Sequence, residues 1–250
     1  MLTNAKSLKG FKLLCLDGEL GKTKEFFFND QTWMVRYLVA DTGSWLTGRQ
    51  VVILPYHLTG VDREKQNILV NLTKKQIEDS PPLSTDTPVS QHFEEAFFAH
   101  LGVPIDWEIQ AKGTDPWDPH LRSTHDVSGH GIHAEDGEIG HVEDFIIDDD
   151  TWAVRYLIVE TGDWWPQKKV LISPRWIERI SFDQSKVLVN LTREAIKGSP
   201  EYSEGSPPGR DYETDLHRHY NRRGYWAEAL DDHKPSFESS PGPSIFKEKN

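Results

Sequence analysis

The sequence predicts a mainly β fold: two tandem small antiparallel β-barrels, each followed by a short helix and an amphipathic helix. Two observations carry this. Shifted by 119 positions, the chain aligns with itself without a gap. "DGELG" at 17–21 falls on "DGEIG" at 136–140, "WMVRYLVADTGSW" at 33–45 on "WAVRYLIVETGDW" at 152–164, and "LVNLT" at 69–73 on "LVNLT" at 188–192. One long repeat of this kind marks a duplicated structural unit, not a solenoid of short ones. Within each unit, apolar residues alternate over short runs separated by turn residues, which is the signature of strands.

The elements of one unit follow in order. "GFKLLCL", Asp17-Gly18 and "LGKTKEFFF" read as a hairpin around a turn that tolerates positive φ. Asn29-Asp30 make the next turn. From Trp33, the residues Trp33, Val35, Tyr37 and Val39 share one face, and Met34, Arg36, Leu38 and Ala40 the other. "RQVVILP" is a fourth strand, stopped by Pro55. "LTGVDREKQNILVNL" is a further hairpin, giving six strands. Thr73 then caps a short helix that ends before Ser80-Pro81-Pro82. Six short strands with both faces apolar suggest closure into a barrel, because closure removes unpaired edges. After each barrel a stripe at helical spacing follows: Phe93, Phe97, His100 and Leu101 in the first copy, Tyr212, Leu216, His219 and Tyr220 in the second. The organisation is therefore 1–80 first barrel, 81–119 linker with amphipathic helix, 120–200 second barrel, 201–230 second helical extension, and 231–250 a polar, Pro/Ser-rich tail expected to be disordered.

A net charge of −12 repels phosphate backbones and anionic lipid, so direct nucleic-acid binding is not expected. The single cysteine, Cys15, allows no intramolecular disulfide and fits a reducing compartment; its counterpart Ala134 marks it as a small core filler. No signal-peptide pattern and no apolar run of membrane-spanning length is visible, so a cytoplasmic location is expected.

The stretch "DGEIGHVEDFIIDDDTWAVRYLIVETGDWW", with the later "VLISP", resembles the PRC-barrel family, named for the cytoplasmic part of the photosynthetic reaction centre H subunit. A related barrel occurs in a ribosome maturation factor. The resemblance covers roughly residues 6–80 and 125–200. It implies a small, mainly antiparallel β-barrel used as a docking or assembly module. The H subunit has an N-terminal membrane helix, which is not expected here, and neither relative's function transfers residue by residue.

Arg36 and Arg155 each interrupt an apolar strand face, where a guanidinium must be paired or reach water. Structural ion pairs to the recurring acids Asp17 and Asp30, or Asp136 and Asp149, are expected. The Asp-Gly pairs are explained by the turn they make, and no catalytic residue is assigned. The histidine-rich stretch supplies weak metal candidates, His125, His130, His133 and His141, whose spacing matches no tight ligand motif. Trp45, Trp164, Trp165, Trp107 and Trp226 are candidate interface aromatics, or plugs of barrel ends. With no phosphate loop, nucleophile elbow or Cys-His arrangement, the chain is expected to be non-enzymatic and to need no cofactor. The reading is an interaction module with an unidentified protein partner, or docking on the cytoplasmic side of a membrane complex. The internal pseudo-dimer could be monomeric or a homodimer. The alternatives are a small-molecule or metal-binding protein, with its site at the inter-barrel cleft or the histidine-rich segment, and a ribosome-associated adaptor.

Overall fold

A computed structural model describes residues 1–43, 46, 50–80, 119–162, 167–204 and 207–227. The chain divides into two units, Met1–Pro208 and Gly209–Asn250. The first unit contains both sequence repeats and is mainly β.

In the first repeat the elements are β1 (Leu2–Asn4), α1 (Ala5–Leu8), β2 (Lys12–Cys15), β3 (Gly18–Asn29), β4 (Val35–Asp41), β5 (Gln50–Ile53), a 3₁₀ turn (Pro55–His57), β6 (Leu58–Asp62), β7 (Asn67–Val70) and α2 (Lys74–Glu78). The second repeats them as β8 (Leu121–Ser123), α3 (Thr124–Val127), β9 (Gly131–Ala134), β10 (Gly137–Asp148), β11 (Ala153–Thr161), β12 (Lys169–Ile172), a 3₁₀ turn (Pro174–Trp176), β13 (Ile177–Ser181), β14 (Lys186–Val189) and α4 (Arg193–Gly198). The expected turn chemistry is present. Gly18 and Gly137 take φ of 136° and 134° beside Asp17 and Asp136. Thr73 caps α2 in a full capping box with Gln76, whereas Thr192 caps α4 through Ala195 N–H alone, because Ala195 has no side-chain acceptor to return.

Strand pairing follows one order twice: β5-β4-β3-β2-β7-β6 and β12-β11-β10-β9-β14-β13. Two features correct the sequence expectation. Not every pair is antiparallel: β2–β7 and β9–β14 are parallel. The 3₁₀ turn carries the chain from one end of the path to the other without reversing it, so the following hairpin meets β2 or β9 with the opposite parity. In addition, the path of pairing is open. Among the described residues its two end strands are joined by the 3₁₀ turn through the chain, and not by a hydrogen-bonded ladder.

Each sheet has a seventh strand, and it comes from the other repeat. β1 pairs with β10 (Leu2↔Asp148, Asn4↔Ile146), and β8 pairs with β3 (Leu121↔Asn29, Ser123↔Phe27). These registers are related by the same 119-residue shift that relates the repeats, so the exchange is reciprocal. At its centre, Met34 bridges Ala153, its own counterpart. Val35 N–H donates to the Trp152 carbonyl and Val154 N–H to the Trp33 carbonyl, both at 2.8 Å. Trp33 and Trp152 hold left-handed backbone (φ 56° and 57°), uncommon for a bulky residue. That conformation begins the repeated strand where the two copies hydrogen-bond to each other.

The core continues across this junction. Phe26 lies 6.0 Å from Trp152 and Phe28 5.4 Å from Phe145, ring centre to ring centre, and all four side chains are buried. Burial of each such ring is worth about 2–3 kcal/mol. Tyr37, Tyr156 and Trp176 are likewise buried.

In the second unit, α5 (Arg210–His219) buries Glu213, Leu216 and His217, with Tyr220 just beyond it. The expected stripe is corrected at two places: His219 is exposed and Tyr212 only half-buried. Polar partners make the substitution tolerable. Glu213 pairs with Arg210 at 3.0 Å and accepts from the Tyr225 hydroxyl at 3.0 Å, and the His217 ring packs edge-on to Trp226. The first copy's stripe (93–101) lies outside the described residues.

Candidate functional site

Asp30 and Asp149 hold the exchanged strands. Asp149 N–H donates to the Met1 carbonyl and Asp30 N–H to the His120 carbonyl, again related by the repeat. The Asp149 carboxylate takes Arg63, which also reaches Thr3. The Asp30 carboxylate takes Arg122 at 2.6 Å and His120 at 2.9 Å. Arg122 in turn lies 4.6 Å over the Phe182 ring. Phe182 is the counterpart of Arg63, and Arg122 of Thr3, so each junction keeps one Arg–Asp ion pair with the arginine supplied from a different position, and only the second adds a cation–π contact.

The predicted arginine partners are therefore redistributed. Arg155 pairs with Asp148 at 3.1 Å and donates to Thr151 at 3.2 Å. Burial pushes the Asp148 carboxyl up, but hydrogen bonds from Thr151 and Arg155 outweigh it and hold the group below its ordinary value. Asn29 stands where Asp148 does, so this pair is not duplicated at Arg36, which is half-buried. Asp17 and Asp136 are corrected to a different role: each accepts the first backbone N–H of the following helix, from Lys74 and Arg193, at 2.7 Å. A pocket of about 550 Å³ lies beside Asp136, lined by Arg193, Glu194 and Lys197, at a hairpin turn of one copy.

Asp144 was not singled out from sequence, nor was Glu160 as a partner of the metal candidate His141. Asp144 is 3% exposed and accepts from Lys6 N–H at 3.1 and 3.2 Å, capping α1 of the exchanged segment. Burial pushes its carboxyl up to about 6, against the backbone N–H groups of Phe145 and Lys6. Nearby, His141, Glu143 and Glu160 bring one nitrogen and two carboxylate oxygens within 4.8 Å of one another. Glu160 is 19 positions from His141 in sequence and directly opposite it in the β10/β11 ladder.

The other histidines are dispersed. His130 is buried edge-on to Phe182, and burial lowers its pKa. His133 lies 3.4 Å from Glu138, and His125 is exposed, its backbone N–H accepted by Ser123. Of the tryptophans, Trp226 is half-buried, with Arg210 4.2 Å over its ring. Trp45, Trp107, Trp164 and Trp165 lie outside the described residues. Cys15 is buried, and desolvation followed by the Asp17 charge raises its thiol to about 11, which keeps it protonated at neutral pH. No helix among the described residues is long and apolar enough to cross a membrane.

The external face differs between copies. Leu14 and Leu69 are ladder partners in the parallel β2–β7 pair, and Leu16 lies two residues on from Leu14, just past the end of β2. Leu16 and Leu69 are 68% and 43% exposed. The second copy places His133, Leu188 and Glu135 at these positions.

No curated protein matches the chain. Residues 123–196, which run from the end of the exchanged strand β8 into α4, match the family model of the PRC-barrel domain.

Proposed function

We propose that the chain is a non-enzymatic protein-interaction and assembly module in which two PRC-barrel-like repeats, interlocked by the exchange of β1 and β8, form one pseudo-dimer. The observation that carries this is the apolar strip on the first copy formed by exposed Leu16 and Leu69 with half-buried Leu14, which lies two residues before Leu16 and is the ladder partner of Leu69. The fold does not need it, because the second copy builds the same sheet with His133, Glu135 and Leu188. An apolar strip confined to one of two equivalent faces fits a partner's apolar surface. The family match supports a binding role over a catalytic one. The net charge of −12 favours a protein partner with a basic rim over nucleic acid.

The test replaces the strip by its counterpart's polarity, Leu14→His with Leu16→Glu, in the full chain. Retention of melting temperature with loss of a partner captured by the natural protein from its own cells is the expected result. Equal capture of the same partner by both proteins would remove this face from the reading.

A further inference from the structure

We infer that His141, Glu143 and Glu160 form a binding site for a divalent first-row transition-metal ion on the outer face of the second sheet. The ligand types are a neutral imidazole and two carboxylates, a borderline set that suits zinc and its neighbours. Each residue is delivered by the strand geometry. His141 and Glu160 are direct ladder partners on β10 and β11. Glu143 is the extra residue of a β-bulge: Val142 pairs with Val159, Asp144 pairs with Ile158, and Glu143 has no ladder partner between them. A bulge of this kind re-aims a side chain out of the regular register. Val142 and Asp144 on either side are buried, which leaves Glu143 facing outward with His141.

The distances favour an ion over direct bonds. His141 Nε2 lies 3.5 Å from Glu160 Oε2 and 3.9 Å from Glu143 Oε2. Both are too long for good hydrogen bonds. Metal bonds of about 2.0–2.1 Å place tetrahedral ligand atoms roughly 3.3 Å apart, so a small inward movement of each side chain completes the set. The remaining carboxylate oxygens are anchored from outside the cluster. Lys6 Nζ holds Glu143 Oε1 at 2.6 Å, and Gln167 Nε2 holds Glu160 Oε1 at 2.6 Å. Each carboxylate is thus oriented with its other oxygen toward His141 Nε2, the arrangement by which outer partners orient metal ligands. Lys169, the ladder partner of Glu160, sits 3.9 Å from Glu143 Oε1 but is bound at 2.6 Å to Glu204.

The site belongs to one copy. The first repeat has the same bulge, between Thr23 and Glu25, but carries Lys22, Lys24 and Asp41 at the three positions. Two cations and one acid cannot hold a metal. The backbone is common to both repeats, so the ligand set is a property of these side chains and not of the fold.

Zinc is the probe. The full chain is titrated in competition with a chromogenic chelator, alongside His141→Lys, Glu160→Gln and a His125→Ala/His133→Ala control, with melting curves run with and without zinc. His141→Lys installs the first copy's own residue at a half-exposed position, and Glu160→Gln keeps the side-chain shape, so both should fold. The expected result is one tight equivalent in the natural chain and in the control, weakened at least tenfold in both site variants. A zinc-dependent rise in melting temperature should be lost with it. Failure of the natural chain to bind zinc would overturn the site. So would binding that survives both site variants or disappears in the control, because this assigns the metal to other surface histidines.

Discussion

Asp144 shows how a single buried acid records the way the two copies are joined. Its carboxylate caps a helix that belongs to the other repeat, and it does so at a site with little solvent. The folded-state pKa of about 6 stands above the ordinary 3.8. Because the folded pKa is the higher one, the folded protein binds the extra proton between these values. The associated stability is full below about pH 4 and is lost as pH rises through about 6, a change on the order of 3 kcal/mol. Asp144→Asn keeps an acceptor for Lys6 N–H and cannot ionise. Its melting temperature relative to the natural protein should therefore climb from pH 4 to pH 7, and a constant difference across that range would show that Asp144 does not titrate as its burial requires. Its counterpart is Glu25, which takes the Ser123 hydroxyl, so the two junctions solve one problem with different groups. Nothing local in "HVEDFIID" announces that Asp144 is the buried acid and Glu143 the exposed one, because the bulge that separates them depends on the neighbouring strand.

At the scale of elements, the long central strands explain the last glycine of the repeated "DGELG" and "DGEIG" words. β3 and β10 each pair with three strands, and at Gly21 and Gly140 the strand passes over the carbonyl of the next one. A Cβ built on Gly140 would meet the Glu160 carbonyl oxygen at 2.0 Å, and one on Gly21 the Asp41 carbonyl oxygen at 2.2 Å. Gly140 also holds φ of 151°. Gly140→Ala should cost about 2–4 kcal/mol, since backbone and not a flexible side chain must give way. Gly162→Ala is the control: its added methyl would find its nearest neighbour at 3.8 Å, and a loss of less than about 1 kcal/mol is expected by chemical denaturation. Equal losses at the two positions would contradict the close approach. The hairpin glycines were readable from the Asp-Gly turn, but this one was not, because its neighbour lies twenty residues on.

For the whole molecule, the reciprocal exchange of β1 and β8 means that neither repeat is complete alone. Removing one leaves a sheet edge on β10 or β3 and a loose strand of the same kind. Residues 120–208 produced alone should therefore form a homodimer, each copy lending its β8 to the other's β10, as the two repeats do in the intact chain. Sedimentation or light scattering decides this: a folded monomer would show that the exchange is dispensable. The two copies differ on their outer faces, one carrying Leu14, Leu16 and Leu69 and the other His141, Glu143 and Glu160, on a shared backbone.

The sequence by itself determined the duplication, the six strands of each repeat, their turns, the cap at Thr73 and the β character of the fold. Each of these is set by residues within a few positions of one another, where alternation, Asp-Gly and Ser-Pro act directly. Only the tertiary structure decided which acid meets which arginine, that β2–β7 and β9–β14 run parallel, that the first strand of each repeat crosses to the other, and that Glu160 joins His141. These depend on ladder register between distant segments. The same word "WxVRYL" written twice is compatible with two separate barrels or with one interlocked pair. The choice falls to hydrogen bonds such as Val35 to Trp152 and to the packing of Phe26 and Phe28 against the other copy, neither of which local sequence encodes.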